Sequence, residues 1–122
     1  MSNRKNPFAE MLGIEVIEVT PGFARVAAKA DPQHANRLGF THGGFLYSLA
    51  DVAFELASNS HDVDAVGITT SMQFHRPMKE GFKAEATAKE MHLGKSLATY
   101  QVEVTSEGKL VATFTGTVFR KS

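Results

Sequence analysis

The sequence predicts an α+β fold, an antiparallel sheet of about six strands packed on one long helix. Two observations carry it. Residues 44–59 keep a helical apolar pattern for about four turns, while segments after it, 82–89 most plainly, alternate apolar and polar with period two. The alternating segments after the helix are separated by short turns, which favours antiparallel pairing over a βαβ layout. The helix is then expected to lie on the apolar face of the sheet.

In chain order, Pro7-Phe8-Ala9-Glu10-Met11-Leu12 reads as a short helix with proline in its first turn, stopped by Gly13. Residues 14–19 (IEVIEV) and 23–30 (FARVAAKA) read as strands across a Thr20-Pro21-Gly22 turn. An irregular stretch, 31–44, leads into the helix, expected over Gly44 to Asn59. In 66–76, Val66, Ile68, Met72 and Phe74 share one parity and are expected on one face. Residues 82–89 set Phe82, Ala84, Ala86 and Ala88 against Lys83, Glu85, Thr87 and Lys89, a half-buried strand. Ala98, Tyr100, Val102 and Val104 mark the inner face of the next, and residues 110–119 pair back after a Glu107-Gly108-Lys109 turn. Residues 1–122 are read as a single domain, small enough that self-association would add useful burial.

Composition narrows the function. Thirteen Lys and Arg balance thirteen Asp and Glu, so no global basic field argues for nucleic acid, and a charged partner must meet a local patch. No apolar run reaches membrane-spanning length and the N-terminus lacks a signal-peptide core, so a cytoplasmic protein that does not insert in a membrane is expected. The absence of cysteine excludes disulfides and thiolate catalysis. The five histidines show no ligand spacing, so no metal site is expected.

Within the helix, Ser48, Asp51, Glu55 and Ser58 or Asn59 form one polar stripe at spacings of three and four. A solvated face is one reading. A cleft floor is the other, because a solvated face usually mixes in Lys or Arg and this helix has none. The helix also opens on His42-Gly43-Gly44, with no first-turn acid to occupy its unpaired N–H groups. Such a terminus attracts an anion or a developing oxyanion, although paired glycines also serve tight turns and close packing.

Taken together, NRLGFTHGGFLYSLADVAFELASNS (36–60) resembles the signature of hotdog-fold acyl-CoA thioesterases, in particular the phenylacetic-acid-degradation (PaaI) group. The matching positions are Asn36, His42-Gly43-Gly44, Leu49-Ala50-Asp51 and Asn59-Ser60, with LGIEV, FHRP, GKS and the closing EGKLVATFTGTVFR as weaker matches. The resemblance implies a sheet wrapped round the central helix and dimers that pair into tetramers. It implies that the Gly43 N–H polarises the thioester carbonyl, that Asp51 acts as nucleophile or general base, and that Asn36 places the carbonyl or the water. His42 is either a substrate contact or a helix-entry residue held by local hydrogen bonds. Gly44 belongs to the same donor cluster. Arg76, Lys95 and Ser96, in the RP and GKS matches, are the candidates for the nucleotide of coenzyme A, which is part of the substrate, so no separate cofactor is expected. Glu55 departs from the family pattern, which has a small or hydroxyl residue there.

This chemistry agrees with the residues, since a thioester needs an oxyanion donor and either an activated water or an attacking carboxylate. Hydrolysis of a small, phenylacetyl-like acyl-CoA is the leading function. A non-catalytic acyl-CoA sensor on the same fold and a hydroxyacyl-thioester dehydratase are the alternatives; the second lacks its motifs here. Gly43 and Asp51 lie eight residues apart, ~12 Å along one helix, too far to serve one carbonyl. Two subunits are therefore expected to share each site across a two-fold axis.

Overall fold

The computed structural model describes residues 5–121. Helix α1 (Pro7–Met11) is capped by Asn6, whose Oδ1 accepts the Ala9 N–H at 3.2 Å, and Gly13 ends this segment at φ 71°. Strands β1 (Glu15–Thr20) and β2 (Phe23–Lys29) form the expected hairpin. A 3₁₀ turn, Pro32–His34, precedes α2 (Gly43–Ser58), and then come β3 (Asp64–Phe74), β4 (Lys83–Leu93), β5 (Leu97–Ser106) and β6 (Lys109–Lys121).

The six strands make one antiparallel sheet in the order β1-β2-β4-β5-β6-β3. Helix α2 lies across it and buries Phe45, Leu46, Leu49, Ala50, Val52, Ala53, Phe54 and Ala57. Ala24, Val26 and Ala28 on β2 and Ala84, Ala86 and Ala88 on β4 face it, all almost fully buried. These small side chains let the helix come close, while Tyr100, Val102, Val104 and Phe114 fill the space under β5 and β6. Phe54 needs two glycines: a Cβ at Gly116 would fall 2.7 Å from its ring, and one at Gly67 3.0 Å. The α+β hotdog arrangement expected from the sequence is the fold observed.

Several local expectations are corrected. The helix begins one residue earlier than Gly44 and ends at Ser58, with Asn59 as its C-cap. Phe82 precedes β4, which runs on to Leu93 because a bulge between Glu90 and His92 carries the pairing past the last alternating alanine. Strands β3 and β4 are not neighbours, since residues 75–82 carry the chain from one edge of the sheet back to its interior. The shared parity of Val66, Ile68, Met72 and Phe74 fails at a bulge between Gly67 and Thr69. Val66 sits opposite Phe119, on the face away from the helix, whereas Met72 sits opposite the buried Phe114. One inserted residue moves everything beyond it to the other face. Among the described residues no helix is long and apolar enough to cross a membrane.

Candidate active site

The start of α2 is shaped by His42. Its backbone is extended (φ −65°, ψ 138°), and its Nδ1 accepts the Gly44 N–H at 2.8 Å. Its carbonyl accepts the N–H groups of Phe45 and Leu46 at 3.0 and 3.3 Å. The expectation that both glycine N–H groups stay free is thus corrected, because the imidazole replaces the missing acidic cap and takes Gly44 out of reach as a donor. Gly43 keeps the one first-turn N–H without a partner among the described residues. A Cβ there would lie 3.2 Å from the Phe74 ring, so the helix start packs on the end of β3.

Asn36 shapes the approach to this corner. Its Oδ1 accepts the N–H groups of Leu38 and Phe40 at 2.9 and 3.1 Å, closing the loop ahead of Thr41. Its carbonyl end is therefore committed to the loop, and only its amide N–H groups remain for another partner.

Asp51 projects from the exposed stripe of α2 toward β3. Tyr47, Asp51, Phe54, Glu55 and Ser58 on one side and residues 65–70 on the other line a cavity of about 480 Å³. Tyr47 Oη and Thr70 Oγ1 share a hydrogen bond of 2.6 Å across it. Although the Asp51 side chain is exposed in the single chain, desolvation by its surroundings raises its carboxyl pKa above the ordinary aspartate value, and the charge of Glu55 raises it further. Glu55 is itself tethered, its Oε1 accepting from Asn6 Nδ2 at 2.8 Å. Asn59, the last member of the stripe, closes the far end: its Oδ1 accepts the Ala65 N–H and its Nδ2 donates to the Ala65 carbonyl.

The candidates for the nucleotide do not form one patch within the chain. Arg76 follows the end of β3, beside Val111, whereas Lys95 and Ser96 sit in the β4–β5 turn, near the other end of β6. Strand β6 separates them by seven residues, Ala112 to Phe119, roughly 23 Å. One cation that the sequence pattern does not single out, Arg120, lies against the turn that carries Lys95. Arg120 N–H donates to the Ser96 carbonyl at 2.7 Å and its Nη1 to the Gly94 carbonyl at 3.0 Å. The closing Phe-Arg-Lys run was the available signal, but only strand register shows what it adjoins. Next to this turn, Glu90 Oε2 accepts from Tyr100 Oη and pairs with His61 Nε2, both at 2.7 Å. Burial would raise the Glu90 pKa, but the hydrogen bonds from Tyr100 and His61, with the charges of His61 and Arg120, hold it lowered.

A long central helix wrapped by one antiparallel sheet is the framework of the hotdog proteins. A model of the thioesterase superfamily matches residues 38–113, and the chain belongs to that superfamily. Phenylacetic acid degradation protein PaaI from Thermus thermophilus, solved as a single-residue mutant, superposes with a TM-score of 0.92 at 51% identity, over 94% of this chain and 99% of that one. A putative esterase from Archaeoglobus fulgidus is 43% identical over 91% of this chain and 73% of its own length. Acyl-coenzyme A thioesterase PaaI from Escherichia coli is 39% identical over 88% of this chain and 78% of its own. Within the superfamily the chain stands with the PaaI-like proteins.

Proposed function

We propose that the protein is an acyl-CoA thioesterase that hydrolyses small, phenylacetyl-like acyl-CoA substrates with Asp51 and the Gly43 N–H as its reacting groups. The hydrolase activity accords with its PaaI-like relatives. The observation that carries the residue assignment is the cavity between α2 and β3, which holds the Asp51 carboxylate beside the free edge of β3. The carboxylate either deprotonates a water or attacks the carbonyl carbon itself. In the first route, water adds, the carbonyl oxygen takes the negative charge against the Gly43 N–H, and the C–S bond breaks to release coenzyme A. In the second, the C–S bond breaks as a mixed anhydride forms on Asp51, and water then hydrolyses the anhydride. A well-aimed oxyanion donor contributes roughly 10²- to 10³-fold in rate. Turnover in ¹⁸O-labelled water tests the second route: label appearing in Asp51, from water attacking the aspartyl carbonyl of the anhydride, indicates it, whereas the base route leaves Asp51 unlabelled.

The site is completed by a second copy. Strand β3 is eleven residues long, pairs with β6 on one side and has no partner among the described residues on the other. Val66 and Ile68 are 44% and 53% exposed along it. A free edge of this length is a template for pairing. Antiparallel pairing of two β3 strands about a two-fold axis brings the Gly43–Phe74 corner of one subunit toward the Ala65 end of the other's cavity. The same pairing carries Arg76 of one subunit toward the Lys95 turn of the other. Each dimer then has two equivalent sites, and pairing of dimers into tetramers adds burial.

The test is thiol release from a panel of acyl-CoAs. Wild type turns over small aromatic acyl-CoAs, and Asp51→Asn loses roughly 10²- to 10⁴-fold in kcat while still binding free coenzyme A. Near wild-type turnover by the variant refutes the assignment of Asp51, and tight binding without thiol release by wild type indicates a sensor.

A further inference from the structure

We infer that a second cavity, on the α1 side of α2, binds a small carboxylic acid of the class the hydrolysis releases, with His34 and His42 as its hydrogen-bond donors. The cavity, about 230 Å³, lies between α1, the 3₁₀ turn and the start of α2. Phe8, Leu12 and Phe45 give it apolar walls, and the two histidines line it as well. The identity of the acid rests on the acyl-CoA reading above, whereas the site itself does not.

The two imidazoles are fixed in the same sense. Asp31 N–H donates to His34 Nδ1 at 3.0 Å, as Gly44 N–H does to His42 Nδ1. A ring nitrogen that accepts carries no proton, so each neutral imidazole holds its proton on Nε2 and presents it as a donor. Neither Nε2 has a partner among the described residues, whereas His61 and His75 use theirs within the chain, on Glu90 and Thr113. His34 stacks on Phe45 with ring centroids 4.3 Å apart, and its carbonyl accepts the His42 N–H at 2.8 Å, which ties the two residues together. Fixed donors beside aromatic and aliphatic walls suit a ligand with an apolar body and two acceptor oxygens. An ionised carboxylic acid has both. At this volume, below the roughly 300–1,000 Å³ of sites for drug-sized ligands, it is a small one. The charges point the same way. Asp51 and Glu55 line the first cavity and repel an acid once it has ionised, whereas no carboxylate lines the second. Gly44 and Ser48 face the second cavity while Tyr47 and Asp51 face the first, so one helix thickness, roughly 10 Å, separates the two.

Phenylacetate is the probe, and the readout is the imidazole Nε2 resonances of the ¹⁵N-labelled protein, followed with and without saturating coenzyme A. Saturable shifts of His34 and His42 are expected, with His61 and His75 unmoved and coenzyme A without effect. Phenylacetamide keeps the ring without the charge and is expected to bind about tenfold more weakly. His34→Phe keeps an aromatic ring to stack on Phe45 and deletes the donor, and Phe8→Ser removes an apolar wall. Each is expected to raise the phenylacetate Kd about tenfold. Because His34→Phe also deprives Asp31 N–H of its acceptor, Phe8→Ser, at a side chain 52% exposed, carries the test if the first variant does not fold. Shifts that coenzyme A abolishes put the acid in the Asp51 cavity and overturn the inference. Equal binding of phenylacetamide, or an unchanged Kd in Phe8→Ser, overturns it as well. None of these readouts depends on turnover. Shifts without thiol release defeat the thioesterase reading and leave the carboxylate site standing, and thiol release without shifts does the reverse.

Discussion

Asp51 shows how one side chain's surroundings translate into a pH profile. Its pKa is raised above the ordinary aspartate value by desolvation and by the charge of Glu55, and only the ionised form can act as base or nucleophile. If Asp51 is the reacting group as proposed, activity is expected to fall as pH drops through this raised value. Glu55→Gln removes the like charge, so the acid limb of kcat/KM is expected to move to lower pH; an unmoved limb shows that Glu55 does not reach the reacting carboxylate. The linkage runs the same way for stability. A carboxyl whose folded pKa is raised opposes folding once pH exceeds its unfolded value, so Asp51→Asn is expected to be at least as stable as wild type at neutral pH by thermal denaturation. Sequence pattern reaches this residue through the polar stripe. It leaves His42 open between a substrate contact and a helix-entry residue held by local hydrogen bonds, and the bond to the Gly44 N–H decides for the second, because which atom caps a helix start depends on a rotamer as well as on spacing.

Among the elements, α2 and the inner faces of β4 and β5 are legible from periodicity because each is decided by burial on one side. Ala84, Ala86, Ala88, Ala98, Tyr100, Val102 and Val104 all face the core as the alternation requires. Strand β3 is not legible in the same way, since a bulge changes parity without changing composition, and its free edge removes the burial that would enforce a pattern. Its place beside β6 depends on a connection that crosses the sheet, which turn residues do not encode. The packing of Phe54 against this strand gives a stability prediction. Gly116→Ala places a Cβ 2.7 Å from the Phe54 ring, and a cost of about 1–3 kcal/mol is expected in denaturant unfolding. An unchanged midpoint shows that the ring can move aside.

For the whole molecule, the proposed shared site makes the folded chain half of a catalytic unit. Gly43 and Asp51 belong to one α2, eight residues apart, and in one chain they cannot both reach a single carbonyl. Sequence spacing alone leads to the expectation of a second subunit, but the proposed route to it, the open edge of β3 beside the cavity, required the strand order. The most direct measurement pairs Gly43→Pro, which deletes the N–H at a first helical position that tolerates proline, with Asp51→Ala. Each homodimer is expected to be inactive. After the two variants are unfolded and refolded together, each heterodimer joins Gly43 of the Asp51→Ala chain to Asp51 of the Gly43→Pro chain in one intact site. Random assortment of equal amounts then restores activity approaching one quarter of wild type per total site. No recovery, in a sample where mass spectrometry under native conditions shows heterodimers, would contradict a site shared between subunits.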